Sequence, residues 1–288
     1  METTSPGVKL IECPRDAMQG WQHFIPTEKK IAYLNALLRA GFDTIDFGSF
    51  VSPKAIPQMA DTGEVLQQLQ LQASHSKLLA IVANVRGAEQ ATAYEAISYL
   101  GYPFSISETF QLRNTRQTIS GALETVKQIQ KLCLDTGKEA VIYISMGFGN
   151  PYGDLYNKEI VQHWVEEIRK TGISTISLAD TVGVAEKDTI AFLFSHLVSA
   201  FPDVEFGAHF HSAPDHWEEK VTTAYDNGCR RFDSAINGIG GCPMAKDELV
   251  GNVATENLLY FLKKRGIASP VDPDAFKDAQ SMATEIFI

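Results

Sequence analysis

The chain of 288 residues exceeds one ordinary domain of about 150 but suits an α/β barrel, which takes about 250 as a single unit, and its 44% hydrophobic content is that of a globular protein. A formal charge of −10 argues against nucleic acid or anionic lipid as partner over the whole surface, and no apolar run approaches the 18 or so residues that cross a bilayer. The opening Met1-Glu2-Thr3-Thr4-Ser5-Pro6 carries no export or import signal, and Cys13, Cys133, Cys229 and Cys242 lack C-x-x-C spacing, so the expectation is a cytoplasmic protein with neither a zinc knuckle nor a disulfide framework.

Along the chain, apolar β-branched runs alternate with amphipathic segments. The first run, Val8–Cys13, leads into Pro14-Arg15-Asp16, and Thr27–Arg39 then reads as a helix opened by Pro26-Thr27-Glu28 and closed by Ala40-Gly41. Further strand-like runs follow at Thr44–Ser49, Lys77–Asn84, Phe104–Glu108, Glu139–Met146, Thr175–Asp180, Glu205–His211 and Arg230–Ile236. Helical patterns at Thr118–Thr136, Lys158–Thr171, Glu186–Ala200 and Asp215–Asn227 lie between them, and Gly137, Gly172 and Gly228 stand at helix ends where a left-handed backbone is favoured. Eight strand–helix units predict a (β/α)8 TIM barrel over residues 1–265, with an open doubly wound sheet as the alternative, since periodicity does not establish closure. Ser269-Pro270-Val271-Asp272-Pro273 breaks the rhythm, and 266–288 reads as a short C-terminal helical extension, a lid or packing element on or near the barrel.

The segment Gly238-Ile239-Gly240-Gly241-Cys242-Pro243-Met244-Ala245, closing with Gly251-Asn252, presents one thiol on a glycine-built loop after the eighth run. Taken alone, such a cysteine reads more readily as a small buried hydrophobe. Its company favours chemistry. Barrel active sites lie at the C-terminal ends of strands, where Arg15 and Asp16 follow the first run, Asp46 lies in the second, Asp180 ends the sixth, and His209 and His211 end the seventh. Side chains two apart on a strand point the same way, so both histidines can address one ion. Two imidazoles, the Asp16 carboxylate and an amide such as Asn252 form a mixed nitrogen and oxygen set suited to Mg²⁺ or Mn²⁺.

With these residues the chain resembles the 3-hydroxy-3-methylglutaryl-CoA lyase family of divalent-metal barrel enzymes. The resemblance runs from about Val8 to Leu262 through Glu12-Cys13-Pro14-Arg15-Asp16, Phe50-Val51-Ser52-Pro53-Lys54, Pro57-Gln58-Met59, Ser177-Leu178-Ala179-Asp180-Thr181, His209-Phe210-His211, the cysteine loop and Gly251-Asn252-Val253-Ala254-Thr255-Glu256. The Phe-Val-Ser-Pro-Lys run and the Gly-Gly-Cys-Pro loop set it apart from the related isopropylmalate and homocitrate synthases. The resemblance implies a carbon–carbon lyase that cleaves 3-hydroxy-3-methylglutaryl-CoA, or a near relative, to acetyl-CoA and acetoacetate. It implies a metal held by Asp16, His209, His211 and Asn252, with Arg15 as the cation for a developing enolate, though a structural ion pair is the plainer reading of that arginine. It also implies Asp180 near the substrate hydroxyl, Asp46 in a catalytic glutamate's place, Cys242 as a proton carrier, Gln19 on the substrate, and a homodimer.

Four departures surround these residues. Ala17 replaces a family glycine, which puts a Cβ where a positive φ is a possible requirement. Ser212 replaces an aspartate, removing an acceptor that could orient a ligating histidine. Asp46 is one methylene shorter than glutamate, and Lys246-Asp247-Glu248-Leu249-Val250 replaces small residues. They leave open a related lyase or aldolase with a different acyl substrate, and a metal-binding pseudoenzyme with an interaction role.

Overall fold

Eight strands hydrogen-bond in chain order and close on themselves in the computed structural model, which describes residues 7–241 and 250–288. They are β1 (Lys9–Glu12), β2 (Thr44–Phe50), β3 (Lys77–Val82), β4 (Ile97–Ser105), β5 (Glu139–Ser145), β6 (Thr175–Asp180), β7 (Glu205–Phe210) and β8 (Arg231–Ser234). All pairs are parallel, and β8 returns to β1 through Lys9↔Arg231 and Glu12↔Ser234. Closure of the ring confirms the (β/α)8 barrel and excludes the open sheet.

The helices are α1 (Pro14–Gln19), α2 (Thr27–Ala40), α3 (Thr62–Gln67), α4 (Val85–Thr92), α5 (Glu108–Thr115), α6 (Ile119–Thr136), α7 (Lys158–Arg169), α8 (Lys187–Ala200), α9 (Trp217–Asp226), α10 (Thr255–Lys264) and α11 (Pro273–Ile286). Parallel strands covered by helices outside and packed side chains inside are buried on both faces, which is why they read as near-continuous apolar runs. In β6 all six residues are buried. Asn157 caps α7 by accepting from Ile160 N–H, and Gly41 and Gly137 end α2 and α6 at φ of 79° and 68°, a left-handed turn that a Cβ would strain. Among the described residues, no helix is long and apolar enough to cross a membrane.

One expectation needs correction. The fourth strand begins at Ile97, not Phe104, and 106–108 already lead into α5, whose first turn Ser107 caps by accepting from Phe110 N–H. Gly101 and Pro103 hide this strand from a β-pattern, yet both have interior reasons. A Cβ on Gly101 would stand 2.5 Å from Ile81 Cδ1, and Pro103 lines the cavity at the mouth. Helix α11 lies against α2, with Phe276 edge-on to Phe42 at 6.3 Å and the Asp272 N–H donating to the Ala40 carbonyl at 2.8 Å.

Candidate active site

Helix α1 starts directly after β1, with Pro14 in its first turn, so Arg15 and Asp16 rise at the C-terminal mouth of the barrel. The Arg15 guanidinium grips Asp46 of β2, Nε donating at 3.2 and 3.0 Å to its two oxygens and Nη2 at 2.5 Å, while Nη1 donates to Asp16 Oδ1 at 3.0 Å. Burial opposes charge on Arg15, but Asp46 and Asp16 outweigh it, and the guanidinium stays a fixed cation. Burial lifts the Asp46 carboxyl to about 6 against the pull of Arg15. Asp46 does not line the mouth cavity; it lies 1% exposed behind Arg15 and fixes where the cation points.

Asp16 is the convergence point. Its Oδ1 also accepts from Gln19 Nε2 at 2.9 Å, one helical turn on, and its Oδ2 from Asn252 Nδ2 at 2.8 Å. Burial alone would raise its pKa, yet Arg15, His209 and His211 together hold it below the usual carboxylate value. Asn252 is positioned by backbone: it forms an antiparallel bridge with His211, and Val253 N–H donates to the Phe210 carbonyl at 3.2 Å. Its Nδ2 donates also to the Ile239 carbonyl at 3.0 Å, and the amide oxygen has no hydrogen bond among the described residues.

His209 and His211 present their rings side by side, centroids 5.2 Å apart. Nδ1 of His209 meets Asp233 Oδ2 at 3.0 Å, and Nδ1 of His211 meets the Thr181 carbonyl at 2.9 Å. A carbonyl only accepts, so Nδ1 of His211 carries the proton and Nε2 the lone pair. Burial opposes protonation of both rings. In His211 the neighbouring His209 adds to that push and the pKa falls, whereas in His209 the Asp233 hydrogen bond reverses it and the pKa rises.

Ligand atoms of Asp16, His209 and His211 lie within 4.8 Å of one another, and His211 Nε2 is buried with no partner among the described residues. An orphaned lone pair beside a carboxylate and a second imidazole fits a divalent cation, and anchoring of the far ring nitrogens is how ligating histidines are normally oriented. Beside the set lies a cavity of about 180 Å³, polar at Arg15, Gln19, Asn114 and Thr181 and apolar at Val51, Ile56, Ile81 and Phe110.

The HMGL-like family profile matches residues 8–283. The chain belongs to the HMGL-like family. Among its relatives, a Pseudomonas aeruginosa protein named 3-hydroxy-3-isohexenylglutaryl-CoA/hydroxy-methylglutaryl-CoA lyase is 33% identical over 275 residues, 94% of this chain and 90% of the relative. The cytoplasmic 3-hydroxy-3-methylglutaryl-CoA lyase of Rattus norvegicus is 31% identical over 92% of this chain and 77% of its own length. The solved HMG-CoA lyase of Acinetobacter baumannii, in complex with coenzyme A and 3-methylmalate, superposes with a TM-score of 0.91 at 31% identity, covering 100% of this chain and 93% of that one.

Two of the departures from the family pattern lose their consequence in the geometry. Ala17 lies within α1 and is not among the non-glycine residues with positive φ, which in the described chain are Arg116, Met146 and Asn237. Ser212 leaves no histidine without an acceptor, because Asp233 and Thr181 serve both rings, while Ser212 N–H donates to the Gly251 carbonyl at 2.9 Å and its hydroxyl to that of Ala213 at 3.0 Å. Asp180 is held at the rim. Its carboxylate turns away from the cavity that Ala179 and Thr181 line, accepting from Val184 and Ala185 N–H and from Lys220 Nζ at 2.6 Å. Lys220 donates also to the carbonyls of Gly183 and His211, tying three segments of the rim, and neither it nor Asp233 was evident from residue pattern. For Asp233 the signal was present in Arg231-Phe232-Asp233, two charges two apart on a strand. Cys242 lies outside the described residues.

Proposed function

We propose that this chain is a divalent-metal-dependent carbon–carbon lyase that cleaves 3-hydroxy-3-methylglutaryl-CoA to acetyl-CoA and acetoacetate. The observation that carries the reading is the Asp16, His209 and His211 set with its anchored rings and the fixed Arg15 cation beside it. The Pseudomonas and rat relatives, both named as lyases of this class, support it.

In the reaction the tertiary hydroxyl loses its proton, the bond between the thioester α-carbon and the carbinol carbon breaks, the carbinol carbon becomes the ketone of acetoacetate, and the α-carbon takes a proton to give acetyl-CoA. Bound Mg²⁺ or Mn²⁺, held by Asp16, His209, His211 and the amide oxygen of Asn252, would supply Lewis acidity to the hydroxyl and carboxylate oxygens. Arg15 offers a permanent charge to the enolate oxygen, oriented in advance by the buried Asp46, so that little reorganisation is needed as charge develops. Asp46 thus acts through Arg15. Asp16 is the proton acceptor at the cavity wall, His209 holds the ion, Gln19 orients Asp16 and reaches the substrate side, and Cys242 returns the final proton in this reading. Asp180, held by Lys220 and by the Val184 and Ala185 N–H groups, shapes the rim in this reading. A cytoplasmic homodimer completes the reading, with the family resemblance as its support.

Calorimetric titration with Mn²⁺ tests the assignment. Wild type should bind one ion per chain, and His209→Ala should weaken binding at least tenfold. Equal affinity in the two folded proteins contradicts the metal set.

A further inference from the structure

Below the mouth, the barrel interior holds an arginine that the reaction does not use. Arg231 of β8 is 1% exposed, and its Nε and Nη2 have no partner among the described residues; its nearest ion-pair contact is Nη1 to Glu205 Oε2 at 3.7 Å. Register places it in one row across the sheet with Tyr143 of β5, Ser177 of β6 and Gly207 of β7. The Tyr143 and Ser177 hydroxyls are likewise buried without partners. In the next row up lie Ala179, His209 and Asp233, and Asp233 Oδ1 is also buried with no hydrogen bond among the described residues while Oδ2 holds the His209 ring.

Room for the guanidinium is built in. A Cβ on Gly207 would stand 2.9 Å from Ser177 Oγ and 3.1 Å from Arg231 Cδ, so glycine lets the arginine cross in front of β7. Arg231 and Asp233 are two apart on one strand and face the same interior. An unbonded buried charge is expensive, and a Met of similar length is easier to bury, so the cluster must be satisfied within the barrel interior. Its chemistry chooses the occupant. Arg231 offers only donors and Asp233 Oδ1 only accepts, so a single species must accept from one and donate to the other. Water does both; a halide does not.

We infer that Arg231 is a positioning residue, joined through ordered water to Asp233 and thereby fixing the ring of His209. The inference rests on the reading of His209 as a metal ligand only for its effect on the ion; the water cluster stands apart from it. A crystal structure at high resolution should show at least one water within hydrogen-bond distance of both Arg231 and Asp233 Oδ1. Density for a direct Arg231–Asp233 ion pair, or for a halide, overturns the proposal. In the metal-free protein, imidazole ¹⁵N shifts of wild type should report His209 in one fixed tautomer, and Arg231→Met should mix the two, with Arg231→Lys closer to wild type. Mn²⁺ affinity should fall about tenfold in Arg231→Met, the loss typical for a group one step behind a ligand, with the melting temperature unchanged or raised because a buried charge has gone. A role in packing alone predicts the reverse, a lower melting temperature with unaltered tautomer and affinity, and that result also overturns it. Should Arg231→Met fail to fold, Arg231→Gln and the wild-type density carry the test. If His209→Ala leaves Mn²⁺ affinity intact, the metal reading fails while density and tautomer still decide the cluster.

Discussion

At the scale of single residues, the mouth is a set of buried charges whose neighbours decide what each can do. Arg15 is pinned by two carboxylates and cannot lose its proton, whereas Glu12, three residues earlier, has no cation among its hydrogen-bond partners in the described residues. It accepts from Thr255 Oγ1 at 2.6 Å and from Ile236 N–H at 2.9 Å, and burial lifts its pKa from 4.5 to about 8. The folded protein therefore keeps a proton that the unfolded chain has released. Below pH 4.5 both states are protonated and nothing is lost; stability then falls as pH rises toward 8 and levels off above it. Glu12→Gln, neutral at every pH, should remove this slope and stabilise the protein at pH 8 by on the order of a few kcal/mol. Urea unfolding at pH 5, 7 and 8 measures it, and equal slopes in both proteins would refute the protonated carboxyl.

At the scale of elements, the ends of β7 and β8 and the segments around 240 and 252 converge on one carboxylate. Gly240, at φ of 118°, passes so close that a Cβ there would lie 2.3 Å from Asn252 Nδ2 and 3.0 Å from Asp16 Oδ2. Gly240→Ala should keep the barrel, since no strand is touched, and lower Mn²⁺ affinity tenfold or more by displacing both groups. Circular dichroism and calorimetry together decide it. Seven of the strands were legible from their apolar runs; β4 was not, because its glycine and proline serve the interior. The histidine pair was legible because alternation put both rings on one face. The facing of Asp180 was not read, although Thr175 and Ser177 mark one phase of β6 and Asp180 falls in the other with Ile176 and Leu178. What orients the histidines came from residues 24 and 30 positions away, Asp233 and the Thr181 carbonyl, which pairing of β7 with β8 and β6 brings alongside.

At the scale of the whole molecule, closure of eight strands brings β1, β2, β7 and β8 to a common mouth, so that Arg15, Asp46, His209 and the segment at Asn252 meet although they are spread over most of the chain. The acidic chain, at −10, relies on this local cation beside the metal set to hold an anionic substrate, and the site is accordingly sensitive to its ligands. The most direct measurement is product analysis after incubating purified protein with 3-hydroxy-3-methylglutaryl-CoA, chelated and then reloaded with Mn²⁺. The account predicts acetyl-CoA and acetoacetate in equal amounts from the reloaded protein, neither from the chelated protein, and a loss of a hundredfold or more in turnover for His211→Ala. A folded protein that binds Mn²⁺ and releases neither product would contradict it.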